Sequence, residues 1–162
     1  MNTHKGESHM NIVGLDHFTI RTPKLAETAA FFQDVLGLKQ GWRPRFGFPG
    51  HWLYVAEKPV LHLVEVGSRA LDAYLGESAA QFGSGRVDHL SFRGTDLAQM
   101  QQHLCRQKCE FRERIVPEIG EHQLFIEDPN GITVEMIFPY ARDNAVVGVA
   151  MERLAIQPED EV

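Results

Sequence analysis

Cysteine is scarce in this chain, with two in 162 residues. Cys105 and Cys109 fall four apart on a predicted helix, where Cβ atoms stand about 5–6 Å apart. A disulfide wants roughly 3.5–4.5 Å, so both read as free thiols in a reducing compartment. As a C-x3-C metal pair they have nothing nearby to complete them. Long apolar runs are also missing: the longest, Ala145 to Met151, has seven residues, against roughly 20 for a membrane span. There is no basic excess either. Sixteen Lys and Arg against 22 Asp and Glu give a formal charge of −6, which argues against a nucleic-acid partner. No N-terminal stretch joins a basic start to an apolar core, so the expectation is a cytoplasmic protein with no membrane partner. With 43% apolar and 23% charged residues, the composition is that of an ordinary globular chain, long enough for one domain or two very small ones.

The chain repeats itself at a spacing of 72 residues. Asp16-His17-Phe18-Thr19-Ile20-Arg21 returns as Asp88-His89-Leu90-Ser91-Phe92-Arg93, and Leu25-Ala26 is echoed by Leu97-Ala98. His51-Trp52-Leu53-Tyr54-Val55 aligns with His122-Gln123-Leu124-Phe125-Ile126, and Val60-Leu61-His62-Leu63-Val64 with Thr133-Val134-Glu135-Met136-Ile137. Ordered matches at both ends mark two copies of one supersecondary unit.

Each copy opens with an alternating strand and continues into a helix. In the first, Thr22 is the expected N-cap with Pro23 in the first turn. Leu25, Ala29, Phe32 and Leu36 then fall at helical spacing, and Gly37 ends the run. The second helix spans about Asp96 to Gln107, with Thr95 as its expected cap. Strands Trp52–Val55 and Leu61–Val66 close the first copy. Leu124–Glu127 and Ile132–Phe138 close the second around the turn Asp128-Pro129-Asn130-Gly131. The predicted organisation is a mobile tail over 1–10 and a single two-module domain over 11–138. Module one covers 11–67, a linker 68–85 carries a short helix near Leu71–Tyr74, and module two covers 86–138. A C-terminal extension, 139–162, includes an expected helix over Val146–Ile156 that packs on a partner.

Strand alternation decides which residues share a face. Leu15, His17 and Thr19 point one way, as do Val87, His89 and Ser91, with apolar residues behind them. Glu135 lies on the polar face of the last strand, and His62 has the matching place in the first copy. A carboxylate in an apolar strand is costly unless something positive meets it. One divalent cation held by His17, His62, His89 and Glu135 would satisfy all four. The repeat-equivalent His51 and His122 sit beside loops, where a rim role and plain exposure are equally open. His103 reads as an exposed helical residue, and His4 and His9, in the polar tail, are weak ligand candidates. Trp42, Phe46, Phe48, Trp52 and Tyr54 crowd one loop and strand. They suit either the wall of an apolar pocket, with Arg43 or Arg45 meeting an anion, or the core.

The pattern Leu15-Asp16-His17, Phe31-Phe32-Gln33-Asp34-Val35-Leu36-Gly37-Leu38, Val87-Asp88-His89 and Phe125-Ile126-Glu127-Asp128-Pro129-Asn130-Gly131-Ile132-Thr133-Val134-Glu135 resembles the vicinal oxygen chelate superfamily. That group holds glyoxalase I, fosfomycin and bleomycin resistance proteins and extradiol dioxygenases. The resemblance implies an α+β fold of paired βαβββ modules forming a cupped mixed sheet, helices outside and a metal within. Family metal positions fall on His17, His89 and Glu135, with His62 as the fourth.

Departures from the pattern narrow the choice. Glyoxalase I has a carboxylate where this chain has His62. Extradiol enzymes have a Tyr where this chain has Phe125. Bleomycin-type binders need no metal ligands, and no potassium-loop motif marks a fosfomycin-type transferase. The expectation is a metal-dependent glyoxalase-like lyase or isomerase acting on a small molecule that chelates the ion through vicinal oxygens. A ferrous extradiol dioxygenase is the alternative, and a non-catalytic binding or resistance protein the third reading. Glu135 and His62 are the candidate catalytic bases; Trp52, Arg43 and Phe125 are the candidate substrate contacts. The cofactor is one divalent ion (Fe, Zn, Ni, Co or Mn), and the family habit implies a homodimer.

Overall fold

The structure, a computed structural model, describes residues 14–75 and 82–152. It is α+β, with two sheets and their helices. In the first copy β1 (Phe18–Thr22), β2 (Lys39–Gln40), β3 (Gly50–Val55) and β4 (Lys58–Glu65) form a sheet of order β1-β4-β3-β2. In the second, β5 (His89–Arg93), β6 (Arg112–Val116), β7 (Glu121–Glu127) and β8 (Thr133–Pro139) repeat the arrangement as β5-β8-β7-β6. A two-residue strand, β9 (Val149–Ala150), is added beyond β6. The helices are α1 (Leu25–Ala30, continuing through a wider π turn over Phe31–Val35), α2 (Arg69–Leu75) and α3 (Leu97–Arg106).

The apolar face of each strand packs against its helix, as the alternation requires. Ile20, Leu53, Leu61 and Leu63 from the first sheet join Phe32 of α1. Leu124, Val134, Met136 and Phe138 from the second join Leu104 of α3, and all belong to one continuous core. The modules therefore meet on their helix sides. His103 Nε2 donates to the Asp34 carbonyl at 2.7 Å. A buried polar knot also joins them: Thr22 Oγ1 donates to Asn130 Oδ1 at 2.6 Å, and Asn130 Nδ2 donates to Thr28 Oγ1 at 3.0 Å. Both sheets turn their other faces, which carry His17, His62 and His89, away from this shared core. Among the described residues no helix is long and apolar enough to cross a membrane.

Four expectations change. Thr22 ends β1 rather than capping α1: its hydroxyl is drawn into Asn130, and the helix starts at Leu25, two residues past Pro23. Asp96, not Thr95, caps α3, its carboxylate accepting the Gln99 N–H at 2.9 Å. The expected helix at Val146 is not formed over its described part, where the β-branched run Val146, Val147, Val149 suits extended chain and Val149–Ala150 pairs parallel with β6. Residues 153–156 of that helix, and the tail 1–10, lie outside the described residues. The repeat alignment is two residues out in one strand: Trp52 pairs with His62 while Phe125 pairs with Glu135, so Trp52 corresponds to Phe125 and not to Gln123.

Candidate metal centre

The parallel register of the opening strands sets out the two polar faces. Thr19 lies opposite His62, and Ser91 opposite Glu135. His62 and Glu135 are thus equivalent, as the repeat implies. On the first sheet three rings form a column: His17 stacks on His62 with centroids 3.9 Å apart, and His62 on Trp52 at 4.0 Å and 4°. On the second, His89 Nε2 stands 3.3 Å from Glu135 Oε2. The Phe125 ring meets His89 edge to face at 6.5 Å.

The aspartate before each of the first and third histidines fixes its tautomer. His17 Nδ1 donates to Asp16 Oδ2 at 2.6 Å, and His89 Nδ1 to Asp88 Oδ2 at 2.8 Å. A carboxylate can only accept here, so each neutral ring keeps its lone pair on Nε2. The His17 bond holds the exposed Asp16 carboxyl below its ordinary pKa. In the sequence both aspartates belong to the repeated Asp-His pair, which by itself gives them no role of their own.

The donor sets fit a cation. Lone pairs on His89 Nε2 and Glu135 Oε2, 3.3 Å apart, repel unless a proton or a metal lies between them. Neighbouring donors around an ion with bonds of about 2.1 Å stand roughly 3 Å apart. His62 Nε2 is buried and unpartnered. Burial first, then the nearby His17, lowers the His62 pKa, while the Pro59 carbonyl and Asp16 oppose them. A neutral imidazole with a free, buried lone pair results.

The four residues form two pairs rather than one cluster. Among the described residues no three His, Cys, Asp or Glu side chains gather closely enough to hold an ion. The fold explains the separation, since each pair lies on the face opposite the shared core.

The remaining candidates divide. Trp52 is half-buried against His62, and Phe125 lies beside His89. Phe48 joins Val64 and Leu71 in a small second core under α2. Arg43 packs its guanidinium over the Phe46 and Phe48 rings at 4.8 and 5.2 Å and donates to the Phe48 carbonyl. A side chain at Gly50 would crowd it, the nearest guanidinium nitrogen standing 3.1 Å from a Cβ there. His51 is half-buried on the helix-facing side, paired with Leu63. His122 is neither rim nor surface: it is fully buried and donates from Nε2 to Glu113 Oε2 at 2.6 Å. Arg114, which the sequence did not single out, lies over the Phe125 ring at 5.6 Å.

A family model described as the Glyoxalase/Bleomycin resistance protein/Dioxygenase superfamily matches residues 14–136. No curated protein matches the chain in sequence. Among solved structures, a putative glyoxalase family protein from Bacillus anthracis aligns at TM-score 0.60 and 18% identity, over 80% of this chain and 98% of its own. Lactoylglutathione lyase from Agrobacterium tumefaciens aligns at 0.60 and 18%, over 78% and 94%. A variant of the fosfomycin resistance protein FosX from Listeria monocytogenes, complexed with Mn(II) and 1S,2S-dihydroxypropylphosphonic acid, aligns at 0.58 and 15%, over 80% and 95%.

Proposed function

The chain belongs to the Glyoxalase/Bleomycin resistance protein/Dioxygenase superfamily, and from that premise we propose a metal-dependent lyase or isomerase acting on a small molecule with vicinal oxygens. The observation that carries this reading is the pair of facing lone-pair donors, His89 Nε2 and Glu135 Oε2, at 3.3 Å. His17 and His62 supply the other two donors from a second copy of the chain. Each polar face is complete on its own sheet and open on the side away from the core, so a two-fold dimer makes two equal centres.

Held by His89 and Glu135 of one chain with His17 and His62 of another, a divalent ion would supply Lewis-acid polarisation of the substrate's adjacent oxygens. The protein's own groups do the rest. With its carboxylate free of the ion, Glu135 takes the proton from the hydroxyl-bearing carbon and returns it to the adjacent carbonyl carbon while the hydroxyl proton passes to the neighbouring oxygen, which completes an isomerisation with no other reactant. His62, held neutral by burial, offers the same Nε2 lone pair as a second proton acceptor where the ion leaves it free. Asp16 and Asp88 keep the Nδ1 protons in place, so His17 and His89 present Nε2 in one orientation. Trp52 and Phe125 wall the face against water, and Arg43 flanks it.

Mn(II) binding followed by electron paramagnetic resonance tests both halves of the proposal. His17→Ala and His89→Ala should each lose the tightly bound ion. Mixed under subunit exchange, they should recover about one quarter of the wild-type sites, because half the dimers are mixed and each carries one intact centre. Full retention by either variant alone would remove the metal reading. Loss in both with no recovery on mixing would remove the shared centre.

A further inference from the structure

Row by row, β6 continues the polar face of the second sheet. Arg112 pairs with Phe125, which pairs with Glu135; Arg114 pairs with Gln123, which pairs with Ile137. Arg114 and Arg93 therefore lie in the row next to that of Glu135. They differ in what meets them. Arg93 donates to Glu121 Oε1 at 3.1 Å and is neutralised there. The Arg114 side chain is half-buried with its guanidinium carbon 5.6 Å over the Phe125 ring, and its Nε is buried with no acceptor. Among the described residues it enters no ion pair. Glu121, on the same face, is engaged by Arg93 and Gln123 instead.

A buried donor without an acceptor is destabilising, and a charged one more so than a neutral one. The aromatic ring offsets part of this cost through its quadrupole, but a ring face cannot accept the in-plane hydrogen bonds of a guanidinium. A planar acceptor with two oxygens can. Phe125 sets the distance, since its ring touches both groups: it meets His89 edge to face at 6.5 Å and lies 5.6 Å from the guanidinium carbon.

We infer that Arg114 is an anion-recognising residue of the pocket, so that the substrate carries a carboxylate, phosphonate or phosphate about one phenyl ring's breadth from its chelating oxygens. This rests on the proposed function for the chelating end only. The anion subsite itself needs no metal.

The test is titration of the full-length protein with acetate, methylphosphonate and neutral acetamide, with and without added Mn(II). The readout is the side-chain Nε–H resonance of Arg114, assigned by its absence in Arg114→Gln. Acetate or methylphosphonate should shift that resonance in the wild type with or without Mn(II), and acetamide should not. Whichever of the two anions shifts it at lower concentration separates a carboxylate substrate from a phosphorus oxyanion. By calorimetry, Arg114→Gln should weaken binding about tenfold or more, as expected for a lost charge-assisted hydrogen bond, while Arg114→Lys should retain part of it. Equal binding of acetamide, or undiminished anion binding by a folded Arg114→Gln, would overturn the assignment. A His89→Ala protein that loses Mn(II) yet still shifts the Arg114 resonance would separate the two sites. If anion binding failed while Mn(II) binding persisted, the inference would fall and the metal reading would stand.

Discussion

Glu113 is 1% exposed and yet charged. Burial alone would push its carboxyl up, but the Gly148 N–H, the Gln101 amide, the Val147 N–H and His122 together hold it below its ordinary value of 4.5. The folded state thus binds fewer protons than the unfolded one between those two values. The resulting stabilisation is complete above about pH 4.5 and drains away as pH falls through the lower folded value. Glu113→Gln should therefore lower the Tm at pH 7 and flatten its fall between pH 5 and pH 3, which a thermal melt series across that range would show. Loss of one partner in such a buried network costs about 3–5 kcal/mol; an unchanged Tm at pH 7 would mean the network contributes nothing net. His122 illustrates what the sequence did hold. It alternates with Leu124 and Ile126, a core pattern, but its place beside a loop and its supposed match to His51 hid that. Asp16 and Asp88 were equally visible as a repeated Asp-His pair. Nothing in the sequence marked Arg114, because its importance comes from a register that only the folded sheet supplies.

The elements themselves were mostly legible. The helices around Leu25–Leu36 and Asp96–Gln107, the short linker helix and the turn at Asp128-Pro129-Asn130-Gly131 all follow from spacing and turn chemistry, and each has its counterpart in the fold. Strand β6 was not placed, since Arg112-Glu113-Arg114-Ile115-Val116 looks polar until Glu113 is seen to face inward. The two-residue slip between β3 and β7 arose from matching His51 to His122 by residue type: Trp52 and His62 are ten residues apart, as are Phe125 and Glu135, so the two hairpins align without a gap. Helix ends were the weakest point because Thr95 and Asp96 are both good caps by residue type, and only Asp96 reaches the Gln99 N–H. Asp96→Ala should cost about 1 kcal/mol, the usual loss of an N-cap, whereas Thr95→Ala should be nearly neutral. Urea denaturation of the two variants checks this, and a larger loss at Thr95 would reverse the assignment of the cap.

At the scale of the whole molecule, the repeat located the polar faces but could not show how the two modules meet. Internal symmetry is blind to that choice, because the same modules can pack face to face or helix side to helix side. The polar contacts that accompany the shared apolar core are dispersed: Thr22 and Thr28 to Asn130, Lys24 to the Pro129 carbonyl, and His103 to the Asp34 carbonyl. Asn130 reads in the sequence only as a turn residue, although its side chain links the modules. Because that packing turns His17 and His62 away from His89 and Glu135, the proposed ion binds a pair of chains and not one. Linkage then requires that the ion strengthen the pairing, by an amount that grows with its free concentration over its dissociation constant. Sedimentation velocity at low micromolar protein should show Mn(II) moving the wild type toward dimer and a chelator moving it back. The His89→Ala protein should sediment identically under both conditions. If Mn(II) bound tightly to the wild type and left its sedimentation unchanged at every protein concentration, each chain would have to assemble its own centre, and the helix-side packing of the two modules would need to be different from the one described.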